Sequence, residues 1–376
     1  MKWSKTILLF CVVTMLAACS KDNEDIQPTQ NGYTGPKRLA SLTSISYSQS
    51  YNNYNPETGR YELSSTHGSK SGATLRWSSA GLLTGMGMEG IASDLITVEY
   101  DGNKVQRIII DAAALGASIG NVTYTCTYTG DNLTETYANT PNGWAKTTLG
   151  YSPSGELISV REEESDGSLT TTTLVWDNGN VTHVEETSSN SHSSTIYNYT
   201  YDYLYDNMTS PYKGMEVYAL LGDGKYMLSR NNVLRIIAGH SSTDSPEVRR
   251  DTTVYTYTYD GDWPVTQSQN RNSNSTYSGG YRTENTNYLR YTDGSGSTVP
   301  QTFTINVTSN MPDSTSVYVS GGGEYEAGRQ VVLSASCYQS DISFRCWNDG
   351  VTDNPRTLTA TENAEYIAVF GATNEK

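Results

Sequence analysis

Apolar and polar residues alternate in short runs along most of this 376-residue chain. Clear examples are Ile96-Thr97-Val98-Glu99-Tyr100 and Tyr255-Thr256-Tyr257-Thr258-Tyr259. Successive side chains of a β-strand point to opposite faces of its sheet, so a period of two predicts strands with one drier and one wetter face. The chain is therefore predicted to be an all-β protein.

An aromatic residue and a polar, glycine-containing turn close most of these runs. The clearest copy, Trp176-Asp177-Asn178-Gly179-Asn180-Val181, is typical of a β-hairpin. Because short turns join antiparallel neighbours, residues 40–292 should form one large antiparallel β-meander, either a curved open sheet or a partial barrel, in which the repeated turn sets strand register. The closing aromatics recur about every 25 residues, the length of one hairpin, at Trp77, Tyr100, Tyr128, Tyr151, Trp176, Tyr201 and, about two units later, Tyr259.

Two stretches interrupt this regular succession of predicted hairpins. Ala112–Leu115 and Gly214–Leu221 are the best candidates for short helical or looped insertions. If the protein has a ligand site, we expect it where the rhythm breaks, around residues 112–120 and 205–233.

The N-terminus has the features of an export signal. Lys2 and Lys5 precede an apolar stretch from Ile7 to Ala18, which is shorter than the ~20 residues of a membrane-spanning helix. Residues 1–18 are therefore predicted to be a signal peptide. Leu16-Ala17-Ala18-Cys19 resembles the lipobox of bacterial lipoproteins, which implies that Cys19 is acylated and anchors the chain to a membrane. The polar residues 19–39 then read as a flexible tether.

The charges after the cysteine bear on localisation. Asp22, Glu24 and Asp25 resemble the signal that sends Bacteroidetes lipoproteins to the outer leaflet of the outer membrane, and a merely solvated linker is the alternative. We expect a lipid-anchored protein of the outer membrane, exposed at the cell surface. The net charge of −15 argues against nucleic acid as a partner.

Three segments of the middle region carry a family resemblance: Tyr205–Gly214, Leu228–Val233 and Tyr257–Pro264. They are similar to segments of a Bacteroidetes lipoprotein family of unknown function with a porin-like fold, over about residues 40–292. The resemblance implies such a fold here. We do not expect an outer-membrane pore, because the strands lack a sustained lipid-facing apolar band.

The C-terminal part has a different sequence pattern from the preceding region. A Ser/Gly-rich stretch, residues 293–302, reads as a linker to a small β-rich module, residues 303–376. In this module Trp347-Asn348-Asp349-Gly350 and Asn354-Pro355-Arg356 resemble the divergent internalin-type B-repeat of bacterial surface proteins. Such modules serve as stalks or spacers, often in tandem, whereas this chain holds one copy.

Cysteines provide a further expectation. Cys126 shares a strand face with Val122 and Tyr124, which favours a buried free thiol. Cys337 and Cys346 would come within disulfide distance if they paired across a hairpin, and export favours that bond. Two separate core thiols are the alternative.

Catalytic and binding motifs are weak. Gly116-Ala117-Ser118-Ile119-Gly120 matches a nucleophile elbow formally, but a strand rather than a helix follows it. The four histidines have no metal-ligand spacing, and Glu162–Glu164 and Glu185–Glu186 read as solvated sheet edges. No cofactor is expected.

Candidate O-glycosylation sites lie at Thr252 and Ser314. The candidate ligand-facing aromatics, for which core packing is the alternative, are Trp77, Trp144, Trp176 and Trp263.

These observations favour a non-enzymatic surface lipoprotein that acts in binding or adhesion, with a glycan or a host or matrix protein as its ligand. The alternatives are a cell-surface carbohydrate-active enzyme and a structural component of the envelope. The pattern leaves the oligomeric state open.

Overall fold

The structure is a computed structural model that describes residues 34–55, 57, 60–91, 93–111, 113–114, 120–140, 143–216, 224–275 and 279–373. The predicted signal peptide, Cys19 and most of the tether lie outside the described residues. Among the described residues, regular structure is almost entirely β, and a 3₁₀ turn lies at Lys225–Leu228. In the described part of the chain, no helix has the length and apolar character needed to cross a membrane.

The described residues form twenty-five strands, numbered in sequence order. Those before the linker stretch are β1 (Leu39–Tyr51), β2 (Asn53–Asn55), β3 (Arg60–Glu62), β4 (Ser65–Trp77), β5 (Leu83–Met88), β6 (Asp94–Asp101), β7 (Lys104–Ile110), β8 (Val122–Thr129), β9 (Asn132–Thr140), β10 (Gly143–Tyr151), β11 (Leu157–Glu164), β12 (Leu169–Asp177), β13 (Asn180–Ser189), β14 (Ile196–Thr209), β15 (Asn231–Ser242), β16 (Ser245–Asp260), β17 (Trp263–Ser275) and β18 (Gly279–Tyr291). Those after it are β19 (Thr302–Ser309), β20 (Val317–Ser320), β21 (Gly323–Glu326), β22 (Gln330–Cys337), β23 (Ile342–Trp347), β24 (Arg356–Thr359) and β25 (Ala364–Ala372).

Strands β1 and β4 to β18 form a closed antiparallel barrel of sixteen strands. Each strand pairs with its neighbour in the chain, and β1 pairs with both β4 and β18, which closes the ring. The short hairpin β2–β3 lies between β1 and β4 in sequence. The predicted all-β antiparallel meander is confirmed, and the closure goes beyond the open sheet or partial barrel that the pattern suggested.

Alternation along the barrel strands sorts residues between the lumen and the outer surface. On β6 and β7 the inward residues Ile96, Val98 and Ile108 are buried in one core cluster. Their outward neighbours Glu99 and Arg107 form an ion pair with both side chains partly exposed. The predicted drier face is therefore the lumen on this side of the barrel, and the wetter face is the outer surface.

The closing aromatics form a ring at one end of the barrel. We call an aromatic whose side chain hydrogen-bonds to the adjacent strand a latch, and we call this end of the barrel the latched end. In six strands the aromatic directly follows a β-bulge. A β-bulge changes which face of the sheet the next side chain points to. Eight latches bond to the backbone of the adjacent strand: Trp77 to Leu39, Tyr100 to Leu83, Tyr128 to Val105, Tyr151 to Leu133, Trp176 to Leu157, Tyr205 to Val181, Tyr257 to Val233 and Tyr291 to Pro264.

The latches account for the repeat in the sequence. Seven of them donate an O–H or N–H to a carbonyl at 2.5–2.9 Å, and Tyr128 Oη instead accepts the amide of Val105 at 2.9 Å. Each bond ties a strand end to the start of its partner, and this supports the predicted role of the turn in setting register. In two units the latch differs from the expected residue, being Tyr205 rather than Tyr201 and Tyr257 rather than Tyr259.

The C-terminal module has two small sheets. In one, β19 pairs with β21 and β25, and β25 pairs with β23. In the other, β22 lies between β20 and β24. The motif of the B-repeat resemblance supports the module's own fold, because Trp347 is fully buried and Arg356 forms an ion pair with Asp349.

The module packs against the outer face of β18, β1 and β4, a contact that we call the seam. Tyr325 stacks on Tyr47 with ring centroids 5.8 Å apart, and the guanidinium of Arg329 lies 4.1 Å from the centre of the Tyr47 ring. Thr66 Oγ1 accepts the amide of Val332 at 2.9 Å. Between the barrel and the module, the stretch from Asp293 turns back along β18, and the Tyr291 amide donates to Ser295 O.

The strand pairing predicted for Cys337 and Cys346 is wrong. The two residues lie in different sheets, with Cys337 opposite Val317 on β20 and Cys346 opposite Val369 on β25. Strands β22 and β23 are consecutive in sequence but do not form a hairpin. Both cysteines are free thiols in the structure.

Candidate functional site

The segment between β14 and β15 turns into the lumen at the latched end. Tyr212 and Met215 are buried in the barrel core, and Tyr226 packs edge-on against Tyr212 with ring centroids 6.2 Å apart. We call the described part of this segment, residues 210–216 and 224–230, the luminal insertion. The luminal insertion falls within residues 205–233, where an interruption of the hairpin repeat predicted a ligand site.

A cluster of hydrogen bonds holds the base of the luminal insertion. Asp206 Oδ1 accepts the amides of Met208 and Asn232 at 2.9 and 3.0 Å, and its Oδ2 accepts Asn232 Nδ2 and the hydroxyl of Tyr259. The three segments of the family resemblance thus meet at one carboxylate. Their polar groups fix the base of the insertion, which makes this cluster a structural feature of the site.

The turn at residues 176–181 also contacts the insertion. Asn180 Nδ2 donates to Asn231 Oδ1 at 3.0 Å, and the Arg230 amide donates to Gly179 O. Asn178 and Gly179 both have positive φ, as the two-residue hairpin turn requires. This copy of the repeated turn therefore both reverses the chain and supports the insertion.

A cavity of about 410 Å³ lies between the luminal insertion and the barrel wall. Its size falls in the range of small-molecule sites. One side is apolar and the other carries amides and hydroxyls. The lining consists of Leu39, Leu42, Ser44, Ser46, Ala73, Leu75, Met86, Tyr212, Met215, Tyr226, Met227, Tyr255, Gln267, Gln269, Asn285 and Asn287.

The polar side consists of two rows of residues that are cross-strand partners on β1, β18, β17 and β16. In the first row, Ser44, Asn287, Gln267 and Tyr257 lie side by side. Asn287 Nδ2 donates to Gln267 Oε1 at 2.8 Å, and Gln267 Nε2 donates to the hydroxyl of Tyr257 at 2.9 Å. Tyr212 from the insertion also donates to Gln267 Oε1, at 3.3 Å. The side chains of this row are therefore hydrogen-bonded to one another.

The second row, which we call the amide row, is Ser46, Asn285 and Gln269, with Tyr255 beside Gln269. Asn285 Oδ1 accepts the hydroxyl of Ser44 at 2.8 Å. Among the described residues, neither the Gln269 amide, the Ser46 hydroxyl nor Asn285 Nδ2 has a hydrogen-bond partner. The amide row therefore presents unused donors and acceptors to the cavity.

The barrel interior reaches solvent beyond the amide row. Arg271 and Asp251 continue the inward faces of β17 and β16 away from the latched end, and their side chains are 56% and 53% exposed. The two charges lie 3.3 Å apart. The end opposite the latches thus provides a solvent-accessible mouth.

Burial keeps a thiol and two phenols inside the barrel neutral. Burial raises the pKa of the Cys126 thiol to about 11 and raises the phenol pKa of Tyr255 and Tyr212 well above their usual value. Cys126 is a free thiol, as predicted, and it is partly buried against the barrel core. Neutral thiol and phenol groups are poor bases, and the described residues that line the cavity include no carboxyl or imidazole group.

The four tryptophans proposed as ligand-facing aromatics do not form one surface. Trp77 and Trp176 serve as latches at separate strands, and Trp263 packs edge-on against Tyr291 with centroids 5.1 Å apart. Trp144 is outward-facing, 38% exposed and stacked on Tyr137. The structure thus favours the alternative of core and cross-strand packing.

The glutamate clusters are not sheet edges, contrary to expectation. Strand β11 lies between β10 and β12, and Glu163 on its outer face forms an ion pair with Arg161. Glu162 and Glu164 act electrostatically on the buried phenol of Tyr124, which places them toward the lumen. Closure of the barrel leaves these strands without a free edge, and this is the physical reason for the error.

The remaining predicted sites lie apart from the cavity. Thr252 is exposed on the outer face of β16, and Ser314 lies in the turn before β20, so both stay predictions as glycosylation sites. Most of the formal nucleophile elbow and of the stretch Gly214–Leu221 lies outside the described residues. In the part of the chain that the structure describes, no group of three or more His, Cys, Asp and Glu could hold a metal ion.

Sequence reasoning missed the amide row. A signal was present, because Gln267-Ser268-Gln269 and Asn285-Thr286-Asn287 place amides two residues apart on two paired strands. A period of two puts both amides of each strand on one face. Their partnership across strands needed the register, which the sequence did not supply.

Comparisons with known proteins find structural neighbours of low identity, and two of these are porin-like proteins. One is a porin-like protein from Bacteroides uniformis ATCC 8492, with 16% identity and a TM-score of 0.40, covering 70% of this chain and 100% of that chain. The other is a porin-like protein from Bacteroides vulgatus ATCC 8482, with 14% identity and a TM-score of 0.39, covering 68% and 99%. No protein-family model matches the chain. No curated protein matches it either.

Proposed function

We propose that this chain is a lipid-anchored binding protein of the outer membrane, in which the barrel holds a small molecule in its lumen and performs no reaction on it. Cys19 attaches the chain to the membrane, and the residues between Cys19 and β1 connect the anchor to the barrel. The observation that carries the proposal is the 410 Å³ cavity, with an apolar side and a row of unused amides.

The outer surface supports a barrel that stands in water beside the membrane. A membrane-embedded barrel needs an outward apolar band about 25 Å tall. Here the exposed outward residues on several strands are charged or polar, including Arg107, Thr125, Glu185, Asp202 and Arg235. The luminal insertion also occupies the latched end of the lumen, which fits a binding cavity better than a pore.

The lining supports binding without catalysis. It contains amides, hydroxyls and apolar groups, and its phenols are kept neutral by burial, as at Tyr212 and Tyr255. Acid–base catalysis needs groups that titrate near the working pH. A carbohydrate-active enzyme, the rival interpretation, needs a pair of carboxyl groups at its site. The cavity lining has none.

Ligand binding is tested by native mass spectrometry. The purified protein is incubated with a total lipid and metabolite extract, freed of unbound material and weighed intact. We expect one small molecule per chain, which is lost in Ala73→Trp and in the milder Leu75→Phe, because both changes fill the cavity. Thr148→Trp, an exposed outward position on β10, is the matched control and should retain the molecule. An adduct that persists in both filled variants, or no adduct from any fraction, would contradict the proposal.

Membrane attachment is tested separately on native material. The intact mass should exceed that of the chain beginning at Cys19 by its acyl groups, and Cys19→Ser should abolish both the added mass and partition into detergent. The same spectra report added sugar at Thr252 and Ser314. An unmodified mass at Cys19 would remove the anchor from the proposal and leave the cavity argument unchanged.

A further inference from the structure

We infer that the ligand of the luminal cavity is an uncharged amphiphile, which enters with its apolar chain first and leaves a hydroxyl- or amide-bearing head at the amide row. This inference rests on the proposed function, because it names the chemical class that the same cavity would take. A monoacylated polyol has this chemistry.

The cavity changes character with depth. At the latched end it is bounded by Leu39, Leu75 and Met86 from the wall and by Met215 and Met227 from the luminal insertion. One row toward the mouth, Leu42 lies beside Ala73 and Leu289. Polar side chains begin only at the next row and continue to the amide row. The deep part can therefore bury a chain of methylene groups, and burial of each group favours binding.

The methionines suit a flexible chain. Met86, Met215 and Met227 bring three unbranched thioether side chains to the same apolar part of the cavity. Unbranched, polarizable side chains fill irregular space and adapt to ligands of differing shape. Two of the three come from the insertion, so this segment supplies part of the apolar surface.

The amide row suits a head that both donates and accepts hydrogen bonds. Gln269 and Asn285 are direct cross-strand partners, and Ser46 lies opposite Asn285 on the other side. Their unused groups include amide donors, an amide carbonyl and a hydroxyl. These groups are half-buried, and a hydroxyl-bearing head would supply them with hydrogen-bond partners.

The lining excludes a charged head. None of its sixteen residues is Asp, Glu, Lys, Arg or His. A charge placed there would lose part of its hydration and would face no opposite charge among these residues. The nearest cation along β17 is Arg271, and its guanidinium is already 3.3 Å from Asp251. A carboxylate head therefore finds no free positive partner at the amide row.

Matched ligands test the inference by calorimetry on the mature chain with Cys19→Ser, which needs no detergent and keeps all the described structure. The probes are 1-decanoylglycerol, decanoate, glycerol and glucose. We expect 1-decanoylglycerol to bind one per chain and decanoate to bind at least about tenfold more weakly. Glycerol and glucose should give no detectable heat, because they lack the apolar chain.

A pair of substitutions locates the head. Gln269→Glu adds a charge at the amide row and should weaken 1-decanoylglycerol binding at least about tenfold, which corresponds to 1.4 kcal/mol. Asn270→Asp makes the same change in charge at the next residue, exposed on the outer face, and should leave binding unchanged. Circular dichroism and thermal unfolding verify that both variants fold.

The outcomes separate this inference from the proposed function. Tighter binding of decanoate, binding of glucose alone, or equal effects of the two substitutions would overturn the amphiphile. If no probe binds but a molecule from the extract still occupies the cavity, the ligand class is wrong and the proposed function stands. If neither a probe nor an extract component binds, both fail.

Discussion

Strands β18, β1 and β4 carry two opposite environments on their two faces. On the outer face Ile45 and Tyr47 are buried beneath the C-terminal module. On the inner face Ser44, Ser46 and Asn285 line a cavity. On the far side of the barrel the order is reversed, with apolar residues inside and polar residues outside. The alternation of a strand therefore does not by itself decide which of its faces is buried. The part of the protein that covers a face decides this.

The two faces also differ in how well their polar groups are satisfied. At the seam Tyr325 Oη bonds to Gly321 O and lies 3.2 Å from Thr66 Oγ1. On the inner face the buried hydroxyl of Ser71 has no hydrogen-bond partner among the described residues. Hydrogen bonds within a packed face contribute stability, whereas unused polar groups beside a cavity leave capacity for a ligand.

Alkaline pH should produce the largest effect, because it acts on phenols on both faces. Burial raises the pKa of Tyr325 to about 12 and raises those of Tyr47, Tyr203 and Tyr255 further. Unfolded tyrosines ionise near pH 10, so above that pH the native state binds more protons and its stability falls as pH rises. Each buried phenol costs about 1.4 kcal/mol per pH unit there.

We expect cooperative unfolding between about pH 10 and 11.5, since several such phenols together exceed a typical stability of about 5–15 kcal/mol. Phenolate absorbance and far-ultraviolet circular dichroism, followed in one titration, should change together. Titration with the same ions at neutral pH provides the control. Gradual ionisation from pH 10 with unchanged circular dichroism would show that the phenols are not buried.

The fold was largely predictable because its information is local. Alternation in Ile96–Tyr100 and the turn at Trp176–Val181 depend on residues close in sequence, and both predicted antiparallel hairpins correctly. Closure depends on the pairing of β1 with β18, whose partners are up to 252 positions apart, as in Leu39 with Tyr291. No short pattern encodes such a contact.

The site was much less predictable. The break in rhythm at 205–233 located the luminal insertion, but the amide row draws Ser46, Asn285 and Gln269 from three strands distant in sequence. Its formation requires closure and register together. The cysteine prediction failed for a related reason, because Cys337 and Cys346 are near in sequence while their strands join different sheets.

A cavity made at the seam should give the next largest effect. Ile45 is 1% exposed on the outer face of β1, and Ile45→Ala should lower the free energy of unfolding by about 3 kcal/mol. Ile158→Ala makes the same change on β11, where the side chain is 40% exposed, and should cost only about 0.5 kcal/mol. Urea denaturation of both variants measures the difference. Equal costs would show that the module does not bury this face.

A bulkier residue at Gly68 should break the same contact by steric overlap. Gly68 on β4 faces Gly323 on β21, and a Cβ at Gly68 would collide with the carbonyl oxygen of Glu324. Gly68→Val should destabilise the protein by about 2 kcal/mol and expose residues 293–301 to proteolysis. Gly120→Val is the control, since no described atom lies within 4 Å of its added Cβ. Proteolysis unchanged from the parent would contradict close packing of the module.

The smallest and most informative effects should come from two hydroxyls on opposite faces of β4. Thr66→Val removes the acceptor of the buried Val332 amide at the seam, and should cost about 2 kcal/mol.

Ser71→Ala removes a buried hydroxyl that has no partner among the described residues, so it should be neutral or stabilise the protein by about 0.5 kcal/mol. Chemical denaturation measures both changes, and Thr66→Val combined with Tyr325→Phe should be less than additive because the two hydroxyls are in contact. If Ser71→Ala instead costs as much as Thr66→Val, the inner face is as fully bonded as the seam. In that case the contrast between a structural outer face and a ligand-ready inner face no longer holds, and the amide row would also be expected to serve stability.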